Sequence, residues 1–219
     1  MASPSSSVSS SESSGPSTPR PERKNDVFVR LAQTEDEKYL AQFHSVINKA
    51  YRTEGGWTTE SHLVQDERIS QDGLRELLND KVNPLLLAFD SNTMEPLGTL
   101  QLEPLEHYPS FGEYQGENYS PTYVESHKKE QQIVLGLFSV DPTQQSRGIG
   151  RKLVEFALRH AKETMGRKQA LVYVIVQRPE LIGWYKRLGF TDFGEKLPFP
   201  DAFRLLQNDV HFSVLRLEL

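Results

Sequence analysis

Gln145-Ser146-Arg147-Gly148-Ile149-Gly150 is the stretch whose reading decides the fold. Before it runs Ile133-Val134-Leu135-Gly136-Leu137-Phe138-Ser139-Val140, short, apolar and rich in β-formers, which predicts a buried strand. Asp141-Pro142 ends that strand, because proline has no N–H to donate to a ladder. After the glycines, Leu153, Val154, Ala157, Leu158, Ala161 and Met165 recur at helical spacing, so a helix is expected to start near Gly148. A strand that feeds a glycine loop opening a helix makes an anion site. Unpaired N–H groups and the positive end of the helix dipole point outward there, and glycine lets a ligand approach the backbone.

The spacing lacks the Gly-Lys-Ser/Thr of a P-loop and the G-x-G-x-x-G of a dinucleotide fold. What stands here is Gln-x-x-Gly-x-Gly, which resembles the coenzyme A pyrophosphate loop of the GNAT N-acetyltransferase superfamily. A second segment, Leu181-Ile182-Gly183-Trp184-Tyr185-Lys186-Arg187-Leu188-Gly189-Phe190, resembles the late helix of the same family, where a tyrosine and a basic residue precede Gly-Phe. One helix plus one strand separates the two segments. The resemblance covers residues 27–219, and its motifs fall within 133–190. It implies an α/β (α+β) fold: a mixed, mostly antiparallel central sheet flanked by helices, with a splayed central strand pair holding coenzyme A.

Composition bounds the alternatives. The 219 residues fit one domain with an appendage. Residues 1–25 are mostly Ser, Pro, Glu and Arg and read as a disordered tail, because they cannot bury enough apolar surface to offset the entropy of ordering. Residues 26–219 form the expected domain. The N-terminal segment has no apolar core for a secretory signal, and no apolar run is long enough to span a membrane. A net charge of −5 argues against a nucleic-acid surface. With no cysteine there is no disulfide, thiolate metal site or acyl-cysteine. The histidines show no metal-ligand spacing, and no metal is assigned. A cytoplasmic or nuclear protein, monomeric or homodimeric, is expected.

Along the chain, Val27 to Leu31 reads as a first strand. Thr34 with Glu37 forms a capping box for a helix carrying Leu40, Phe43, Val46, Ile47, Ala50 and Tyr51. Ser70 caps a short helix bearing Leu74, Leu77 and Leu78. Leu85 to Phe89 and Leu97 to Leu102 form a hairpin, followed by a long polar stretch to Gln132. Gln169 to Val176 is another buried strand, Pro179 opens a helix that Gly189 ends, and the tail from Val210 closes the sheet.

The resemblance carries roles onto matching residues. Phe138, Ser139 and Val140 would take the pantetheine arm. Amides from Gln145, Ser146, Arg147, Gly148, Ile149, Gly150 and Arg151 would hold the pyrophosphate, with Arg147 and Arg151 adding charge. On pattern Tyr185 is a core tyrosine; its counterpart in the family protonates the departing thiolate. Many relatives carry an asparagine where Arg178 stands, and Arg178 would reach a phosphate or be solvated. An ammonium acceptor needs a base. The strand ending at Val140 carries no acid, so the candidates are Glu54, Glu60, Asp66, Glu67, Glu103 and His107.

The segment from Ala50 to Arg68 resembles a stretch of small-molecule-type family members, making Trp57, Glu60 and Arg68 the candidate substrate contacts. The loop of 103–132 sets Glu106, Glu113, Glu117 and Glu125 among Tyr108, Phe111, Tyr114, Tyr119 and Tyr123. That composition suits an organic cation, and it equally suits a solvated insertion. The function implied is acetyl-CoA-dependent N-acetylation, by direct attack, of a primary amine of a small molecule. A protein or peptide acetyltransferase and a non-catalytic coenzyme A-binding module are the rivals.

Overall fold

The computed structural model describes residues 26–53, 56–107, 127–200 and 202–219. The expected tail over 1–25, Glu54 and most of the long loop (108–126) lie outside the described residues. Seven strands form one sheet in the order β1-β2-β3-β4-β5-β7-β6. They are β1 (Val27–Leu31), β2 (Leu85–Asp90), β3 (Pro96–Pro104), β4 (Gln132–Val140), β5 (Gln169–Ile175), β6 (Thr191–Pro198) and β7 (His211–Glu218). The helices are α1 (Leu40–Arg52), α2 (Gln71–Asn79), α3 (Ile149–Glu163) and α4 (Pro179–Arg187). Every pairing is antiparallel except β4 with β5, whose parallel connection runs through α3. The mixed, mostly antiparallel sheet flanked by helices is the architecture the sequence predicts. No helix among the described residues is long and apolar enough to cross a membrane.

Two apolar layers sandwich the sheet. Against one face α3 and α4 bury Ile149, Leu153, Ala157 and Leu181 on Leu86, Leu100 and Ile133. Against the other, α1 and α2 bury Phe43, Ile47, Leu74 and Leu78 on Leu85, Leu87 and Phe89. Phe89 sits at the centre of the second layer, 5.5 Å from the Phe28 ring and 5.3 Å from those of Tyr39 and Phe43.

The start of the first helical segment differs from expectation. Residues Thr34–Tyr39 form a 3-10 helix, and Gln33 with Asp36, not Thr34 with Glu37, makes its start. The Gln33 amide donates to Asp36 Oδ2 at 2.8 Å, while Arg30 of β1 grips the same carboxylate through two bonds of 2.6 Å. That two-pronged grip on the buried Asp36 pulls the start one residue earlier, and Glu37 turns outward to Arg75. Strand β6 was not foreseen either. It is a sheet edge, mostly polar, and broken by Gly194 at φ 80°, so it carries no period-2 apolar signal.

The central pair parts early. Strands β4 and β5 share a ladder only over Gln132–Gln169, Ile133–Ala170 and Val134–Leu171. At the closed end Gln132 Nε2 donates to Gln169 Oε1 at 2.8 Å, both residues fully buried, which ties the register. Beyond Val134 the ladder stops. A bulge then shifts β4 against β3, with Leu137 at φ 41°. The extra residue switches the alternation: Ile133 and Leu135 face the α3–α4 layer before it, Phe138 and Val140 after it, while Leu137 turns to the opposite layer.

Replacing Phe89 with Ala should cost about 3–5 kcal/mol, because it opens a cavity that three aromatic neighbours cannot close. Urea unfolding followed by far-UV circular dichroism measures it.

Candidate active site

The parted strands open into a cavity of about 750 Å³ that crosses the sheet. Its walls bring together Phe138, Ser139 and Val140 of β4, most of the glycine loop, and Tyr185 of α4, with Trp57, Glu60 and Arg68 on the remaining side. Among the residues predicted to contact the coenzyme or substrate, Arg147 alone does not line it.

At the mouth, Gly148 caps α3 in the left-handed region, φ 73°, which glycine adopts without a Cβ penalty. The first helical bond runs from Lys152 N to Gly148 O at 3.1 Å, and none of the amides from Gln145 to Arg151 donates to a described carbonyl. These unpaired N–H groups can hold an anion. The arginines differ from the expectation. Arg147 is turned away to Asp90 Oδ2 at 2.7 Å and Gln144 Oε1 at 2.8 Å, holding the Asp90 carboxyl below its ordinary range. Arg151 is exposed beside Glu155 at 2.9 Å. The Gln145 side chain ties the loop to the facing wall by accepting from the Trp57 amide at 2.8 Å.

Deeper in, Tyr185 is 3% exposed and packs on Phe138, Trp184 and Phe190. It is thus the core tyrosine that its spacing indicates, and it also reaches the cavity wall. Its hydroxyl has no hydrogen-bond partner among the described residues. Burial drives the phenol well above its ordinary value, reinforced by Tyr51 and opposed by Arg178.

On the far face, Arg178 is not solvated. It is 8% exposed and ion-paired with Glu60 through Nη1, while its Nε donates to Thr58 Oγ1 at 3.0 Å. Thr58 in turn donates to Glu180 at the start of α4. The other Glu60 oxygen accepts from Arg52 at 3.3 Å. Glu60 is therefore fully engaged in fastening the 56–64 segment between α1 and α4. Trp57, 50% exposed, stands at the rim.

Of the carboxylates and the imidazole considered as bases, Asp66, Glu67 and His107 do not line the cavity, and Glu67 pairs with His44 at 3.2 Å. Glu103 does. It alternates with Leu102 on β3, and so faces away from the α3–α4 layer. Its carboxyl lies over Gly136: a Cβ there would sit 1.7 Å from Glu103 Oε1. Burial pushes Glu103 up to about 7, with Arg68 opposing the rise. The signal was present in the sequence, since a glycine inside an apolar strand marks a close approach by another group.

The sheet order, the splayed pair and the glycine loop at its mouth define the fold of the N-acetyltransferases. The sequence profile of the acetyltransferase (GNAT) family matches residues 41–190, and the chain belongs to that family. Solved structures agree in fold. A variant of the spermidine N-acetyltransferase SpeG of Vibrio cholerae is 14% identical with a TM-score of 0.58, covering 89% of this chain and 95% of its own. The protein smu.2055 of Streptococcus mutans is 18% identical with a TM-score of 0.59, covering 87% and 98%. The structure of yncA of Salmonella typhimurium with its cofactor acetyl-CoA is 16% identical with a TM-score of 0.59, covering 88% and 94%. A search of curated protein sequences returned no match.

Replacing Glu60 with Ala should destabilise the fold by about 3–5 kcal/mol, because two inward arginines lose their shared counter-charge. Glu60→Gln, which keeps the hydrogen-bonding shape, should cost less; thermal or urea unfolding of both variants separates charge from packing.

Proposed function

We propose that the protein transfers an acetyl group from acetyl-CoA directly to a primary amine of a small molecule. The observation that carries this reading is the placement of Tyr185 and Glu103 on opposite faces of the sheet, at the walls of one cavity that passes between the parted strands. The unpaired amides of 145–151 suit a pyrophosphate, and the exposed edge of β4 beyond Val134 suits an amide-bearing arm that completes its ladder. The names of structural neighbours, a spermidine N-acetyltransferase among them, favour a small-molecule amine.

Each residue's part follows from its environment. Glu103 takes a proton from the incoming ammonium and frees the nitrogen lone pair; a carboxyl near 7 is matched to that task at neutral pH. The nitrogen bonds to the thioester carbonyl carbon and gives its second proton to solvent, the C–S bond breaks, and sulfur leaves with the electron pair. Tyr185 keeps its proton throughout the neutral range. A thiol titrates near 8.5, below a phenol, so full transfer from Tyr185 to the thiolate is uphill. Its hydroxyl therefore serves chiefly as a hydrogen-bond donor to the leaving sulfur, which takes its proton from solvent afterwards. Backbone amides about Phe138 and Val140 orient the thioester.

Kinetics of coenzyme A thiol release test the reading. Tyr185→Phe should lower kcat about 10–100-fold, the worth of one hydrogen bond to a charged group, with an unchanged unfolding curve. Unchanged turnover would return Tyr185 to a packing role.

The pH dependence tests Glu103 separately. Activity should rise as pH passes through about 7 and then level, and Glu103→Gln should abolish that limb. Stability gives an independent check. Between the ordinary carboxylate range and about 7 the folded protein holds a proton that the unfolded chain has lost. Stability of the parent should therefore fall as pH rises through that window, and the Gln variant should lack the fall. A parent stability curve flat over that window would contradict the buried acid.

A further inference from the structure

Around Glu103 the cavity wall carries more positive than negative groups. Arg52, Arg68, Arg178 and Arg204 line it, against the carboxylates of Glu60 and Glu103. Most of these arginines have structural duties. Arg178 and Arg52 share Glu60, and Arg204 binds the carbonyls of Gln65 and Glu67 at 3.3 and 2.6 Å. Arg68 differs. No carboxylate lies within 4.0 Å of its guanidinium among the described residues, although it lines the cavity and stacks 5.2 Å over the Tyr51 ring.

Its placement is built into the fold. The Asn48 side chain of α1 accepts from the Arg68 amide at 2.6 Å and donates to the Ile69 carbonyl at 3.0 Å, and these bonds pin Arg68 and Ile69 to α1. Arg52 holds the Asp66 carbonyl at 2.6 Å just upstream. A fixed guanidinium facing a cavity, with its fork unclaimed by a carboxylate, is a receptor for a planar or tetrahedral anion. A polycation would instead meet Arg68 beside the Glu103 carboxyl, whose charge burial disfavours, and the Glu60 carboxylate already shared by two arginines.

Resting on the acetyltransferase reading, we infer that the acceptor is an amine that also carries an anionic group, a carboxylate, phosphonate or phosphate. Arg68 receives the anion while the amine faces Glu103 on the same side of the sheet. An α-amino acid or an aminoalkyl phosphate has this chemistry, and spermidine does not. Arg68 is thus the specificity-determining residue, and Trp57 at the rim bounds the outer part of the acceptor.

The test uses the full chain with matched amines: alanine against isopropylamine, phosphoethanolamine against ethanolamine, and spermidine alone. Binding to the coenzyme A-loaded protein is followed by calorimetry, and acetyl transfer by thiol release. At least one anionic amine should bind and be acetylated with kcat/KM at least tenfold above its partner that lacks the anionic group. For that substrate Arg68→Gln should raise KM about 10–100-fold with little change in kcat or in acetyl-CoA affinity, and Arg68→Lys should recover part of the loss. Amines without an anionic group, spermidine included, used as well as the anionic ones, no anionic amine bound or acetylated, or an unmoved KM in Arg68→Gln would each overturn the inference. Those outcomes leave the acetyltransferase reading standing as long as acetyl-CoA binds; loss of acetyl-CoA binding by the parent protein would sink both.

Discussion

The structure depends on a parallel strand pair that stays paired for only three residues. Backbone N–H and C=O groups rarely stay unmatched, so a ladder abandoned inside a sheet leaves polar groups that need another partner. The buried Gln132–Gln169 bond closes one end, and the bulge at Leu137 swings Phe138 onto Trp184 and Tyr185 at the other, with the Phe138 and Trp184 rings 5.4 Å apart and nearly parallel. The parting is thus held open by packed aromatics. It makes a passage between two faces of a sheet that would otherwise be sealed by its own hydrogen bonds.

The two faces of that passage have different physics. On the α3–α4 side the wall is aromatic and apolar up to the glycine loop, where unpaired amides supply partial positive charge without a lysine. On the α1 side it is polar and half-buried, organised around Glu60 between Arg52 and Arg178. A buried charge cluster of this kind is weak support for stability, since replacing it by apolar residues is often neutral. Its value here is geometric. It fixes the segment of 56–64 against the start of α4, with Arg68 and Glu103 on the same cavity wall outside the cluster.

Much of this was legible in the sequence because it rests on local rules. The strand, Asp-Pro stop, glycine loop and amphipathic helix from Ile133 to Met165 announce themselves through period and punctuation, and the Ser70 cap holds as expected, its Oγ accepting from Gly73 at 3.1 Å. What escaped depends on which side chains meet between elements, or on a strand that has no period to read. The helical start moved to Gln33 because Arg30 claims Asp36. Arg178 turned inward because Glu60 and Thr58 await it from 118 and 120 residues away. Glu103 stood among several candidate bases until the sheet laid it over Gly136, and edge strand β6 has no apolar face from which a period could be read. Local propensity cannot report which charge will find which partner.

The proposed reaction requires the thioester to lie in the gap between β4 and β5, with Tyr185 on one side and Glu103 on the other. A crystal structure of the protein with coenzyme A tests it most directly. The pyrophosphate should lie on the amides of 145–151, the pantetheine arm along β4 beyond Val134, and the sulfur within hydrogen-bond reach of the Tyr185 hydroxyl. Coenzyme A bound away from the gap, or with its sulfur beyond reach of Tyr185, would contradict it.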